Sequence, residues 1–323
     1  MNRIALARLP TPLEPAPRLT QAWNGPRIWF KRDDLAGFGL SGNKVRKLEF
    51  HLGGAVEAHA DTIITCGASQ SNHCRATALA TDRLGLRCIL YLRTPDGRPP
   101  PDLTGNHLLQ RLAGAECRFI TPDDWAHRER LMADAAAEIE SPWVIPEGAS
   151  DALGMQGFVA AMSELEVQLA EAGITGATIW HAASSGGTTA GLVRGSTSSD
   201  SEIVGSSVGD PAVVLEEKIV GLLDEADQRF GSMPRSAPWR ITDRFVGGGY
   251  GVATDDELAL QIEVTRLTGL IGDPTYTGKA LVGLKSEIES GSLEPDRDVV
   301  FWHTGGGFAT FAHDWGSALG EPG

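Results

Sequence analysis

The sequence lacks any apolar run long enough to span a bilayer. Its first stretch, Met1 to Pro17, mixes Arg3 and Arg8 with several prolines in place of the continuous apolar core of a secretory signal. No asparagine opens an Asn-x-Ser/Thr sequon. A cytoplasmic address with no membrane partner is therefore expected. The four cysteines, Cys66, Cys74, Cys88 and Cys117, include no CxxC pair and no His spacing typical of zinc, so buried free thiols and no metal are expected. Positive charge is scarce: 28 Lys+Arg against 42 Asp+Glu give a formal −14, which repels nucleic-acid backbones and anionic lipid. A small anionic cofactor is not excluded, because a local nest of amides or one lysine outweighs a surface field screened within about 10 Å.

What is present is a globular composition, with 41% hydrophobic and 22% charged residues. A chain of 323 residues is long enough for about two domains with a cleft between them. Short β-branched runs alternate with segments of helical period, the rhythm of parallel sheets covered by helices. Asp61–Cys66, Arg87–Leu92, Glu116–Thr121 and Trp143–Pro146 read as strands, with helices such as Ser71–Leu84 and Leu103–Ala113 between them. A second series opens with a helix whose stripe is Met155, Phe158, Met162, Leu165 and Leu169, ended by Gly173. Strand Ala177–Ala182 follows, with later strands near Arg240–Val246 and Asp298–His303. The Ser-rich tract Gly195–Ser207 reads mostly as loop, with Glu202–Gly205 a candidate strand. The expected division is a large domain from 1–50 and 155–323, with 51–154 as a small inserted α/β domain.

Glycine- and hydroxyl-rich stations sit where strands hand over to helices, the places where ligands gather in open α/β sheets. In Ser41-Gly42-Asn43-Lys44-Val45-Arg46-Lys47-Leu48, Lys44 opens a helix patterned by Val45, Leu48, Leu52 and Val56. A helix amino end disfavours a cation, so the position suggests a lysine wanted as a neutral amine. Taken alone it is equally a solvated surface lysine. In Gly67-Ala68-Ser69-Gln70-Ser71-Asn72-His73, Ser71 and Asn72 are either ligand-facing groups or plain N-caps, and His73 carries no expectation. Ser184-Ser185-Gly186-Gly187-Thr188-Thr189 follows a strand and opens a helix, which suits a phosphate, although a plain turn fits as well. This turn matches neither the G-x-G-x-x-G dinucleotide fingerprint nor the P-loop, which weighs against a dinucleotide-binding α/β protein. Two of the three tyrosines, Tyr250 and Tyr276, flank glycine-rich or proline-marked turns and are read as site residues.

Taken together, KRDD at Lys31, SGNKVRKLEF at Ser41, GASQSNH at Gly67, PEGASDALG at Pro146, the turn at Ser184, GYGV at Gly249, DPTYTGKA at Asp273 and HTGG at His303 resemble one family. It is the fold type II pyridoxal-phosphate enzymes of the D-cysteine desulfhydrase and 1-aminocyclopropane-1-carboxylate deaminase branch. The likeness runs over nearly the whole chain, in order. It implies two lobes of open, twisted, mostly parallel sheets flanked by helices, tryptophan synthase β-like, and a homodimer. It further implies pyridoxal 5'-phosphate held as an imine on Lys44, with Asn72 at its phenolic oxygen and Ser184, Ser185, Gly186, Gly187 and Thr188 around its phosphate. Lys47 adds a charge there. Ser71 would face the substrate carboxylate, and Tyr250 and Tyr276 the reacting carbons.

Thr277 matches the residue that faces the pyridine nitrogen, where cyclopropane deaminases carry a glutamate that keeps the ring protonated. A threonine cannot hold that charge, which favours β-elimination over ring opening. The implied reaction is deamination of a small amino acid, D-cysteine foremost, to pyruvate, ammonia and sulfide. A cyclopropane deaminase, an L-cysteate sulfo-lyase and a cofactor-binding protein without turnover are the other readings.

Overall fold

The computed structural model describes residues 2–320. Among the described residues ten strands form two sheets. In chain order they are β1 (Leu13–Pro15), β2 (Ile28–Arg32), β3 (Thr62–Ala68), β4 (Arg87–Arg93), β5 (Glu116–Ile120), β6 (Pro142–Val144), β7 (Ala177–Ala183), β8 (Glu202–Ser207), β9 (Trp239–Thr242) and β10 (Asp298–His303). The larger sheet has the order β1-β2-β10-β7-β8-β9 and the smaller β5-β4-β3-β6. Every pairing is parallel except β1 with β2.

Alternation along the strands builds two cores on the larger sheet. Ile179, Val300 and Trp302 point to one face, against Met155, Phe158, Met162 and Leu165 of helix Gln156–Glu171 and Leu215, Ile219 and Leu223 of helix Ala212–Phe230. Trp180, Val299 and Phe301 point to the other, against Leu260 and Val264 of helix Asp255–Thr268 and Leu281 and Leu284 of helix Thr277–Glu289. Strands buried on both faces read as continuous apolar runs, as VVFW does. The smaller sheet packs Ile64, Ile89 and Tyr91 on one side and Cys88, Leu90 and Leu92 on the other, where they meet Cys74 of helix Asn72–Arg83. All four cysteines are free, three buried and Cys117 half-buried.

The structure differs from the sequence reading at three places. The domain boundary at residue 50 falls inside one unbroken helix, Lys44–Glu57. Its Val45, Leu48, Leu52 and Ala55 pack with Ile63, Ala76 and Ile145, so it shares a core with the smaller sheet. Half of the serine-rich tract is strand: Glu202–Ser207 runs between β7 and β9. The candidate strand at Glu202–Gly205 extends to Ser207, whose Oγ donates to the Asp210 carbonyl at 2.6 Å. Strand β2, unforeseen, ends in Lys31 and Arg32, whose charges masked it. Lys31 lies fully buried because Glu164 pairs with it.

Candidate active site

The carboxyl ends of β7 and β10 and the amino end of helix Lys44–Glu57 meet in one cleft. Asn43, Lys44, Asn72, Ala182, Ser184, Ser185, Gly186, Thr188, Thr189, Tyr276 and Thr304 contribute to its wall, and its empty volume, open mouth included, is about 430 Å³. Two loops touch backbone to backbone to bring Lys44 there. A Cβ on Gly42 would lie 2.7 Å from the Thr304 carbonyl, and one on Gly305 2.7 Å from Gly42 Cα, so both positions require glycine. The Asn43 amide donates to that same carbonyl at 3.0 Å.

Lys44 is the first residue of its helix, with no acidic neighbour in the first turn. It is part-covered, with its side chain reaching the cleft. Its nitrogen forms no hydrogen bond or ion pair with another described residue. Burial lowers its pKa to about 8, against a weaker opposing pull from the Glu147 charge. A substantial fraction is therefore neutral amine just above neutral pH.

The turn after β7 forms an anion cradle. Gly186 adopts φ +80° and leads into helix Gly187–Gly195, whose first amide groups have no partner within the helix. Lys47 Nζ lies against it: a Cβ on Gly187 would be 2.6 Å away. Lys47 is fully buried and pairs with no carboxylate among the described residues; it donates to the Gly148 carbonyl at 3.2 Å and to Ser150 Oγ at 2.9 Å. Ser150 Oγ in turn meets Ser185 Oγ at 2.7 Å. Burial first, then the Lys44 charge, drives the Lys47 pKa well below its usual value. A buried cation beside a helix amino end, with no counter-anion, is a site that a phosphate would complete.

Asn72 Oδ1 accepts from Arg75 Nη1 at 3.2 Å and Asn106 Nδ2 at 3.0 Å, which leaves its amide N–H groups for the cleft. Ser71 is the N-cap of helix Asn72–Arg83, accepting from the Cys74 amide at 3.2 Å, and its hydroxyl also meets the Cys74 thiol. Tyr250 and Tyr276 share a hydrogen bond of 2.5 Å between their hydroxyls. Burial raises the Tyr250 pKa to about 12 and that of Tyr276 well above its usual value, so both remain phenols at neutral pH.

Of the expected site residues, Lys44, Asn72, Ser184, Ser185, Gly186, Thr188 and Tyr276 line the cleft. Lys47, Ser71, Gly187 and Tyr250 are not in that wall: Tyr250 meets it through the Tyr276 hydroxyl, Lys47 lies against Gly187 between wall residues Gly186 and Thr188, and Ser71 precedes wall residue Asn72. Thr277 is different. Its hydroxyl donates to Asp273 Oδ1 at 2.9 Å and accepts from the Asp273 amide at 2.6 Å, so it serves the start of its own helix and is not part of the wall. Thr304, Asn43 and Thr189 do line the cleft and were not singled out from sequence. The signal for Thr304 was its place in HTGG, immediately after a strand. Gly37-Phe38-Gly39-Leu40-Ser41-Gly42 spells G-x-G-x-x-G, but β2 before it and β3 after it lie in different sheets, so no βαβ dinucleotide unit surrounds it. Among the described residues no cluster of three metal-ligating side chains occurs, and no helix is long and apolar enough to cross a membrane.

The family model of pyridoxal-phosphate dependent enzymes matches residues 4–305. The chain belongs to that family. It is 39% identical over 318 residues to the bifunctional D-cysteine desulfhydrase/1-aminocyclopropane-1-carboxylate deaminase, mitochondrial, of Arabidopsis thaliana, covering 94% of this chain and 78% of that one. Similarity to the D-cysteine desulfhydrase of Salmonella paratyphi A is 36% over 319 residues, covering 96% of each. A putative 1-aminocyclopropane-1-carboxylate deaminase of Pyrococcus abyssi is 36% identical over 310 residues, covering 94% and 91%. A crystal structure of an ACC deaminase homologue superposes with a TM-score of 0.85 at 34% identity, over 99% of this chain and 95% of that one. Escherichia coli diaminopropionate ammonia lyase, at 19% identity and a TM-score of 0.63, shares the fold. The fold is thus type II of the pyridoxal-phosphate enzymes, and the cofactor of this family is pyridoxal 5'-phosphate.

The residues present fit that group. The cradle at Ser184–Thr188 with Lys47 would take its phosphate, Lys44 its aldehyde carbon and Asn72 its phenolic oxygen. Each of these partners now has a donor or a charge that the protein itself leaves unsatisfied.

Proposed function

We propose that the chain catalyses β-elimination from D-cysteine, in which D-cysteine and water give pyruvate, ammonia and hydrogen sulfide. The observation that supports this reading is the absence of any carboxylate among the cleft-lining residues; the polar groups there are hydroxyls, carboxamides and Lys44. Bound pyridoxal phosphate supplies an electron sink for the bond broken at Cα, and without a carboxylate to keep its ring nitrogen protonated that sink is moderate. A moderate sink suits expulsion of hydrosulfide and disfavours opening of an unactivated cyclopropane. The Thr277 hydroxyl, committed to Asp273, adds no charge there either.

The chain's own groups divide the remaining work. Lys44 Nζ, depressed to a pKa of about 8, accepts the Cα proton as general base, a step typically worth 10²–10⁴-fold. Ser71 offers its hydroxyl proton to the substrate carboxylate. In the Tyr250–Tyr276 pair one hydroxyl proton lies between the two oxygens and the other is free to go to the departing sulfur. The bifunctional Arabidopsis relative makes ring opening the competing reading, because its name carries both activities. Parallel assays of purified, cofactor-loaded protein with D-cysteine, L-cysteine, L-cysteate and aminocyclopropane carboxylate separate them by keto-acid release. Sulfide and pyruvate from D-cysteine at the highest rate are expected; aminocyclopropane carboxylate turned over as fast or faster would overturn the reading. Cytoplasmic address and homodimeric assembly belong to the same proposal, the first checked by fractionation and the second by sedimentation.

A further inference from the structure

Arg75 is fully buried, yet no carboxylate pairs with it among the described residues. Its Nη1 donates to Asn72 Oδ1 at 3.2 Å and Asn106 Oδ1 at 3.0 Å, and its Nη2 to the Ser41 carbonyl at 2.6 Å. The guanidinium lies over the Phe308 ring, 4.9 Å from its centroid, and its Nε has no acceptor. Burial lowers its pKa to about 10, which still leaves it charged at neutral pH. An ion held in protein without an opposite charge costs several kcal/mol, and neutral carbonyls return only part of that. A helix dipole does not explain the arrangement either, because Arg75 sits in the first turn of helix Asn72–Arg83, where a cation is disfavoured.

The charge has one outlet toward the cleft. Asn72 lies between Arg75 and the empty space, with its oxygen turned to the guanidinium and to Asn106, and its N–H groups toward the cleft. A carboxamide whose oxygen faces a cation is a stronger N–H donor, since hydrogen bonds in series polarise one another in a low-dielectric interior. The cation itself lowers the energy of any anion on the far side of that amide.

We propose that Arg75 is a positioning residue that, through Asn72, keeps the phenolic oxygen of the bound cofactor ionised. The inference rests on the reading that Asn72 meets that oxygen and is independent of which amino acid is the substrate. It also distinguishes Arg75 from a purely mechanical strut between the loop at Ser41 and the helix at Asn72.

The test is the absorbance of fully cofactor-loaded protein without substrate, in which an ionised phenolic oxygen gives the visible band and a protonated one the near-ultraviolet band. Arg75→Met is expected to raise the near-ultraviolet to visible ratio about tenfold, the size of one pKa unit. Arg75→Gln, which keeps amide donors without the charge, is expected to do the same, and it serves if the Met variant does not accumulate folded. Arg75→Lys, which keeps the charge and loses the fork, should hold the ratio near the parent value even where its Tm falls. A Tm loss in all three with an unchanged ratio would reduce Arg75 to a strut and overturn the proposal. Asn72→Ala separates the premise: a ratio unmoved in that variant refutes the placement of Asn72, whereas a shift there without one in Arg75→Met refutes only the role of Arg75.

Discussion

Two groups of buried cations stand side by side in this molecule, and only one of them is neutralised. Arg46 Nη2 reaches Asp33 Oδ1 at 2.8 Å and Glu164 Oε1 at 2.9 Å, Lys31 pairs with that same Glu164, and Lys279 pairs with Glu257 at 3.1 Å. Part-covered Lys44 and fully buried Lys47 and Arg75 pair with no carboxylate among the described residues. The arginines show the difference in pKa direction, while at Lys31 burial outweighs the Glu164 partner and lowers the pKa. Burial opposes charge on Arg46, but its two carboxylates prevail and hold its pKa above the usual value; burial wins outright at Lys44, Lys47 and Arg75. Charges that stabilise the fold are satisfied within it. Charges that await an anion are left open, and their positions trace that anion's outline.

Substitutions can break this contrast, the largest effect first. Lys44→Ala is expected to remove the lysine-dependent visible absorbance and to cut turnover by at least about 10²–10⁴-fold, the range of a lost general base. Retained turnover in that variant would remove the mechanism. Arg46→Met leaves buried Asp33 without an ion-pair partner and Glu164 with Lys31 alone, and is expected to cost about 3–5 kcal/mol in denaturant unfolding. The absorbance of the folded, loaded fraction should be unchanged. Lys47→Met is expected to behave in the opposite way: apo stability equal to or above the parent, and affinity for pyridoxal phosphate down about tenfold, or about 1.4 kcal/mol. A large apo destabilisation would place Lys47 with Arg46 and dissolve the distinction.

The smallest effect is a dependence on pH. Because folding depresses the Lys44 pKa from 10.5 to about 8, the unfolded chain binds more protons than the folded one between those values. Apo-protein stability should therefore rise with pH across that window relative to Lys44→Met, whose curve lacks this contribution. Cofactor capture by the apo protein should also accelerate as pH rises, levelling above about 8, since only the neutral amine attacks the aldehyde. A capture rate flat from pH 6 to about 9 would contradict the depressed value.

Much of the site was legible in the sequence because its chemistry is concentrated in short strings at strand ends. Lys44, Asn72, the turn at Ser184 and Tyr276 all converge on one cleft. Most of what escaped depended on partners distant in the chain. The Asp273–Thr277 bond is the exception, a pair four residues apart within DPTYTGKA at the start of a helix. Arg75 lies two residues past GASQSNH, but its importance comes from the carboxylates it does not have, which only the packing reveals. The fold class followed from the alternation of strands and helices. Strand β2 did not, because a lysine acceptable in a buried strand needs a glutamate 133 residues away.

The central claim is that one amine among six lysines is held ready for an aldehyde. Borohydride reduction of the cofactor-loaded protein, followed by peptide mapping, tests it directly. The expected result is a single pyridoxyl mass addition confined to the peptide containing Lys44 and lost in Lys44→Ala. Stoichiometric labelling of Lys47, Lys31 or a surface lysine instead, or no fixed label at all, would contradict it.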